Sequence, residues 1–267
     1  MGILLNENER IDDLERNGYR IIQNKKRFCF GMDAVLLSGF IWEGQKQTAG
    51  KFLRIADLGT GTGIIPLLLH GRMAGTGKLI SSESISDRHH IADIYGLEIQ
   101  EEVADMARRS VQLNRVEHDI HIIIGDIKEA SGLLGKDRFD IVTSNPPYMK
   151  QGTGLVNPND SKAISRHEVL CTFDDVAREA GLLLKNSGSF YLVHRPARLT
   201  ELIRTLEKYK LEPKRMRMVH SFADSEAAMV LIEARKGSGT FLKVEKPLII
   251  YKNKGEYTDE ILQIYYF

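Results

Sequence analysis

The tetrapeptide Asn145-Pro146-Pro147-Tyr148 comes at the end of an apolar run, "RFDIVTSN" (138–145). Two consecutive prolines end any regular element and fix the backbone, so a carbonyl there can be aimed at one point. An exocyclic amino group presents two N–H donors. The Asn145 side-chain oxygen and a proline carbonyl can accept both, while the Tyr148 ring packs on a planar base or amide. Such contacts turn the nitrogen lone pair toward an activated methyl group and favour the pyramidal, developing ammonium over the flat conjugated amine, with no strong general base required. Taken alone, Asn-Pro is an ordinary turn signal. What lifts it above that is its place directly after an apolar strand in a chain that also carries a glycine-rich loop.

That loop is "DLGTGTG" (57–63), with Asp57, Gly59, Gly61 and Gly63 where a strand turns into a helix. Glycines there let the backbone turn tightly and approach a ligand that a Cβ would obstruct. A plain glycine turn, a nicotinamide dinucleotide and S-adenosylmethionine all compete for such a loop. The dinucleotide fingerprint wants Gly-x-Gly-x-x-Gly before a pyrophosphate, whereas the spacing here is Gly-x-Gly-x-Gly, which favours a ligand without a pyrophosphate. An acid at the end of the next strand should hold ribose hydroxyls. Glu98 closes "YGLE" just before a helix, while its rival Glu83 is followed by "ISDRHH" and no helix, so Glu98 is preferred. Its distance from the loop exceeds the usual offset of about 20 residues, and residues 71–93 must absorb the excess. Asp126, after "IIIG", could accept from an adenine amino group with Ile127 against the ring, or could simply cap the next turn.

The elements that must position these residues alternate. "RIADLG" (54–59), "DIYGLEI" (93–99), "DIHIIIGD" (119–126), "RFDIVTSN" and "SFYLVH" (189–194) read as strands. Between them, "IIPLLLH", "EEVADMARRSVQLN", "FDDVAREAGLLLKN" and "LTELIRTLEKY" have helical periodicity. Two last strands, "KRMRMVHS" and "AAMVLIEA", are joined by a short polar link. The pattern predicts an α/β, Rossmann-like fold: a seven-stranded, mostly parallel sheet with helices on both faces and a terminal antiparallel hairpin. Residues 71–93 and 149–168 are polar and read as long loops, the second at the carboxyl edge where α/β enzymes place substrate contacts.

Composition sets outer limits. A chain of 267 residues, 42% hydrophobic, can bury a large core, and a formal net charge of +1 neither demands nor forbids a polyanionic partner. The two cysteines are far apart, which argues against a disulfide framework or a zinc site, and the adjacent His89 and His90 cannot both face one ion from a helix. No metal is expected. The first residues carry no basic leader and no run approaches ~18 apolar residues, so a cytoplasmic protein without a membrane partner is expected.

"DLGTGTGIIPLLL", "YGLEIQ", "GDI" and "SNPPY" resemble the motifs of class I S-adenosylmethionine-dependent methyltransferases, and Asn-Pro-Pro-Tyr resembles the signature of their amino-methylating branch. "RFCFGMDAVLLSGF" (27–40) and "LIIYKNKGEYTDEILQIY" (248–265) resemble the ends of the bacterial tRNA1(Val) adenine-37 N6-methyltransferase family. Nearly the whole chain is covered, with the 71–93 loop as the main departure. The resemblance implies N6 methylation of a tRNA adenine, leaving S-adenosylhomocysteine. It implies cofactor contacts from Asp57, Gly59, Thr60, Gly61, Gly63, Glu98, Ile99, Asp126, Ile127 and Asn145, and target-base contacts from Asn145, Pro146, Pro147 and Tyr148. An adenine in a tRNA loop must be unstacked, and basic residues must grip the flanking phosphates. Lys25, Lys26, Arg27, Lys150, Lys162, Arg166 and His167 are candidates, as is "KRMR" (214–217). Three parts are expected: an N-terminal extension over the active site (1–49), the methyltransferase domain (50–236), and a tail with a short helix (237–267). Tetrapeptides of this kind also serve enzymes that methylate release-factor glutamines or DNA adenines. A non-catalytic RNA-binding module and a nicotinamide oxidoreductase are the rival classes. No obligatory protein partner is evident.

Overall fold

Runs such as "RIADL" and "DIVTS" are apolar on successive residues, a pattern that suits a strand covered on both faces. In the computed structural model, which describes residues 5–26, 29–45, 51–75, 91–146 and 171–266, they lie at the centre of the main sheet. β1 (Glu9–Asp13) and β2 (Arg20–Asn24) form a separate antiparallel hairpin, followed by α1 (Met32–Gln45). The alternating region comprises β3 (Leu53–Leu58), α2 (Ile64–Ala74), β4 (Ala92–Glu98), α3 (Glu101–Leu113), β5 (Ile120–Ile124), α4 (Ala130–Leu134) and β6 (Phe139–Ser144). It continues with α5 (Phe173–Leu183), β7 (Leu184–His194), α6 (Leu199–Lys208), β8 (Leu211–His220) and β9 (Ala227–Lys236). The tail adds β10 (Lys243–Val244), β11 (Leu248–Ile249), the hairpin β12 (Tyr251–Asn253) and β13 (Glu256–Tyr257), and α7 (Asp259–Tyr266).

The main sheet has the order β10-β8-β9-β7-β6-β3-β4-β5, with β11 also paired to β8. β3 to β7 are parallel, and β9 runs antiparallel between β7 and β8, so the expected sheet and its last hairpin are present. The sheet is wider than predicted: β10 and β11 bring it to nine strands, each too short to leave a period-2 signal. Successive residues of one strand feed opposite faces. Ile55, Ile141, Tyr191 and Val193 join Leu36, Leu37, Leu67 and Ile261 on one side. On the other, Ala56, Leu58, Val142 and Leu192 join Val176 and Ala177 of α5 and Leu202 and Leu206 of α6. Each fully buried Val, Leu or Ile among them contributes about 1.5–3 kcal/mol. Among the described residues no helix is long and apolar enough to cross a membrane, and no group of three or more His, Cys, Asp or Glu side chains is gathered to hold a metal.

Two expected boundaries move. Residues 71–74 belong to α2 and Ala92 and Asp93 to β4, so the expected loop shrinks at both ends; His89, His90 and Glu83 lie outside the described residues. β7 begins at Leu184, where the sequence suggests the end of a helix, because Leu184 pairs with Phe139 and Phe139 is buried in the same cluster.

The last turns of α2 carry polar residues whose partners are distant in sequence. His70 is buried between Tyr19 and Asp119: the Tyr19 hydroxyl lies 2.7 Å from Nδ1, and Nε2 lies 2.7 Å from Asp119 Oδ2. A neutral imidazole satisfies both, accepting at Nδ1 and donating from Nε2. Asp119 Oδ1 also accepts from Ile91 N–H at 3.3 Å, just before β4. Arg72 donates to the Ile264 carbonyl at 2.6 Å and Arg16 to the same carbonyl at 3.0 Å, so two guanidiniums satisfy the end of α7. His70→Ala removes the donor to a buried carboxylate and opens a cavity, and chemical unfolding should show a loss of about 2–4 kcal/mol. A loss within ~0.5 kcal/mol, the range of neutral surface changes, would contradict this clamp.

Candidate active site

The glycine loop leaves β3 at Leu58 with Gly59, Gly61 and Gly63 at φ of 77°, 58° and 85°, the left-handed region that side chains resist. Backbone N–H groups of Gly59 and Thr60 both donate to the Leu97 carbonyl at 2.9 Å, which ties the loop to β4. Thr60 lies over Gly96: a Cβ there would sit 2.8 Å from both Thr60 Oγ1 and Cγ2. Gly96 therefore sets the approach of loop to strand, a role the sequence does not announce.

Glu98 ends β4, buried, with Oε2 accepting from Gly61 N–H at 3.0 Å and Oε1 from Gln100 N–H at 2.9 Å. Its backbone carbonyl takes Gly125 N–H at 3.0 Å, joining the β5 turn to the same edge. Asp126 caps that turn, accepting from Lys128 N–H at 2.9 Å, with the Lys128 ammonium 3.5 Å from its other oxygen. The capping role left open by the sequence is thus filled here. Ile127 stands over the loop, its Cδ1 3.6 Å from where a Cβ on Gly59 would project. Ile99, next after Glu98, is 41% exposed, unusual for an isoleucine beside a buried strand end.

Asn145 follows β6, which pairs with β3 so that Asp57 faces Thr143 and Leu58 faces Ser144. Continuing the register one residue sets Asn145 beside Gly59. Two side chains lock it: Thr143 Oγ1 donates to Asp57 Oδ1, and Ser144 Oγ to the Leu58 carbonyl at 2.9 Å. Asn145 and Pro146 are both half-buried, whereas Pro147 and Tyr148 lie outside the described residues. Asp57 is wholly buried, and among the described residues its Oδ2 has no hydrogen-bond partner, although the Thr60 hydroxyl lies close. Burial pushes its carboxyl up to about 6; the Thr143 and Thr60 hydroxyls oppose the rise and the nearby Glu98 carboxylate adds to it.

The basic candidates separate. Lys25 and Lys26 are exposed in the turn after β2, while Arg27, Lys150, Lys162, Arg166 and His167 lie outside the described residues. Of "KRMR", Arg215 pairs with Glu245 at 2.8 Å and Glu233 at 3.1 Å, and Arg217 with Glu260 at 2.7 Å; both turn inward. Gln23 is a residue that sequence reasoning misses. Buried in β2, it donates from Nε2 to Thr62 Oγ1 at 3.2 Å and accepts at Oε1 from Phe30 N–H at 3.2 Å, bridging the glycine loop to the segment before α1. A lone glutamine in a short strand gives no pattern by which to find it.

The comparisons bear on this geometry. A tRNA1(Val) (adenine(37)-N6)-methyltransferase from Porphyromonas gingivalis is 28% identical over 238 residues, covering 88% of this chain and 86% of that protein. The family described as N-6 DNA methylase matches residues 66–170, the span holding Glu98, Asp126 and Asn145. A predicted O-methyltransferase from Agrobacterium tumefaciens superposes with a TM-score of 0.63 at 23% identity, over 87% of this chain and 95% of that one. The chain has the class I methyltransferase fold. It also shares this fold with a Thermus thermophilus 16S rRNA N2 G1207 methyltransferase solved with AdoMet and guanosine, at a TM-score of 0.57, 18% identity and coverage of 88% and 52%.

Gln23→Ala leaves Thr62 Oγ1 and Phe30 N–H without these partners, which should cost about 1–3 kcal/mol in unfolding free energy. Amide exchange across residues 59–63 should quicken in the same variant. Wild-type stability together with wild-type exchange would show that Gln23 does not hold the loop.

Proposed function

We propose that this methyltransferase transfers a methyl group from S-adenosylmethionine to the exocyclic N6 of an adenine in tRNA, at position 37 of tRNA1(Val), and that it does so in the cytoplasm. The observation that carries the reading is the β3–β6 register, which sets Asn145 and Pro146 beside the glycine loop. When bound, S-adenosylmethionine supplies an electrophilic methyl group. The residues fit it. The buried Asp57 Oδ2, which accepts no hydrogen bond among the described residues, suits its cationic amino group. Glu98 can exchange Gly61 N–H for ribose hydroxyls. The exposed Ile99 and the overhanging Ile127 offer apolar surfaces to an adenine ring, with Asp126 at the rim.

On the substrate side, the Asn145 side-chain oxygen and the Pro146 carbonyl are the proposed acceptors for the two N–H bonds of the target amine, with Pro147 fixing the turn and Tyr148 stacking on the base. Lys25, Lys26, Arg27, Lys150, Lys162, Arg166 and His167 are proposed to meet phosphates. A DNA adenine is the second reading, favoured by the match to the N-6 DNA methylase family. Incubation with labelled S-adenosylmethionine and, separately, total tRNA, duplex DNA and release factor should place label in tRNA. Asn145→Ala should cut the rate by about 10²–10³. Label in DNA or release factor alone would overturn the tRNA reading.

Asp57 makes cofactor binding proton-linked. Its carboxyl is raised from 3.8 to about 6 in the free protein, so its contribution to stability is fully present below 3.8 and is lost as pH rises through about 6. A cation at Oδ2 stabilises the carboxylate and lowers that value, so binding near pH 6 should release a proton, and affinity should rise with pH to a plateau above it. Calorimetry in buffers of different ionisation heat reads the proton directly. A pH-independent affinity, equal to that of Asp57→Asn, would contradict the assignment.

A further inference from the structure

Along the carboxyl edge of the sheet, β4 brings Glu98, β3 the glycine loop and β6 Asn145 with Pro146; β7 comes next. Ser144 faces Leu192 in that pairing, so continuing the register sets Pro146 beside His194. Neighbouring strands lie about 4.8 Å apart. The chain then runs through Arg195 and a short turn, Pro196–Arg198, into α6. An open hollow of about 520 Å3 sits on that first turn, bounded by Ala197, Arg198, Thr200, Glu201, Arg204 and Thr205. None of these residues has a part in the site described above.

The charge in the hollow is positive and partly held in reserve. Arg204 is exposed and, among the described residues, makes no hydrogen bond or ion pair. Arg195, also exposed, puts one nitrogen 3.1 Å from the Ala228 carbonyl. Arg198 is bound at both ends by Glu201, at 2.6 Å and 3.2 Å. Burial, with the Arg198 guanidinium close by, holds the His194 imidazole down to about 4, so the positive charge here belongs to the arginines. The first turn of α6 adds its N-terminal dipole.

We infer that this hollow is a phosphodiester subsite, in which Arg204 takes the backbone of the nucleic-acid strand beside the target nucleotide, Glu201 restrains Arg198, and Arg195 adds positive charge from the segment that leads into the turn. The inference rests on the proposed function and extends it. A strand that delivers one base over β6 must carry its backbone past a neighbouring strand, and β4 and β5 already hold the residues proposed for the cofactor. β7 is the side left open. Guanidinium forks match phosphate oxygens, and an Arg–Glu pair can exchange one anion for another.

The test is tRNA binding by the full-length protein across a salt series, with S-adenosylmethionine titrated in parallel. Arg204→Ala should weaken tRNA binding about fivefold and reduce the slope of log K against log salt by about one, with cofactor affinity unchanged. Glu201→Gln should act oppositely, tightening binding and steepening the slope by removing a negative charge from the hollow. Wild-type slopes in both variants, or weaker binding by Glu201→Gln, would overturn the subsite. If wild-type protein binds and methylates duplex DNA and not tRNA, the tRNA reading fails, and the same slopes measured on DNA still decide the hollow.

Discussion

The site depends on a register. Asp57 faces Thr143 and Leu58 faces Ser144 in the parallel pairing of β3 and β6. A parallel ladder does not fix register by backbone hydrogen bonds alone, since sliding by two residues would restore them and keep each side chain on its face. Here Thr143 donates to Asp57 and Ser144 to the Leu58 carbonyl. Both bonds are lost in any slipped alignment, and with them the adjacency of Gly59 and Asn145. Two hydroxyls thus hold in place the strands that lead into the glycine loop and into Asn145.

The same constraint burdens the ligand-free protein. Asp57 and Glu98 are both buried at one edge of the sheet, and among the described residues one Asp57 oxygen accepts no hydrogen bond. Glu98 is satisfied for the time being by Gly61 and Gln100 N–H groups. A ligand that carries a positive charge and hydroxyl groups, as proposed above, would relieve part of a cost built into the fold. Gln23 and Gly96 support the loop from either side, one through Thr62 and the other by letting Thr60 approach.

What could be read from the sequence followed from periodicity and special residue types. Apolar runs gave the central strands and the glycines the loop; of the double proline expected to turn the chain after β6, Pro146 alone lies within the described residues. Glu98 could be chosen over Glu83 because a helix follows it. Other features depend on contacts between residues far apart in the chain, which local patterns do not carry. His70 looked like the end of an apolar helix face, yet it is held by Tyr19 and Asp119. The "KRMR" cations read as a basic surface, yet Glu233, Glu245 and Glu260 draw two of them inward. β10 and β11 were invisible because a two-residue strand has no period. Asp126 was ambiguous between cap and ligand, and its bond to Lys128 N–H fills the first role without preventing the second.

The central claim is that Asn145 and Pro146 present an exocyclic amine, not a ring nitrogen or a ribose hydroxyl, to the methyl donor. Digestion of tRNA methylated by this protein, followed by chromatographic and mass-spectrometric separation of the nucleosides, tests it most directly. The account predicts N6-methyladenosine. A product methylated at a ring nitrogen, a ring carbon or the ribose would contradict it.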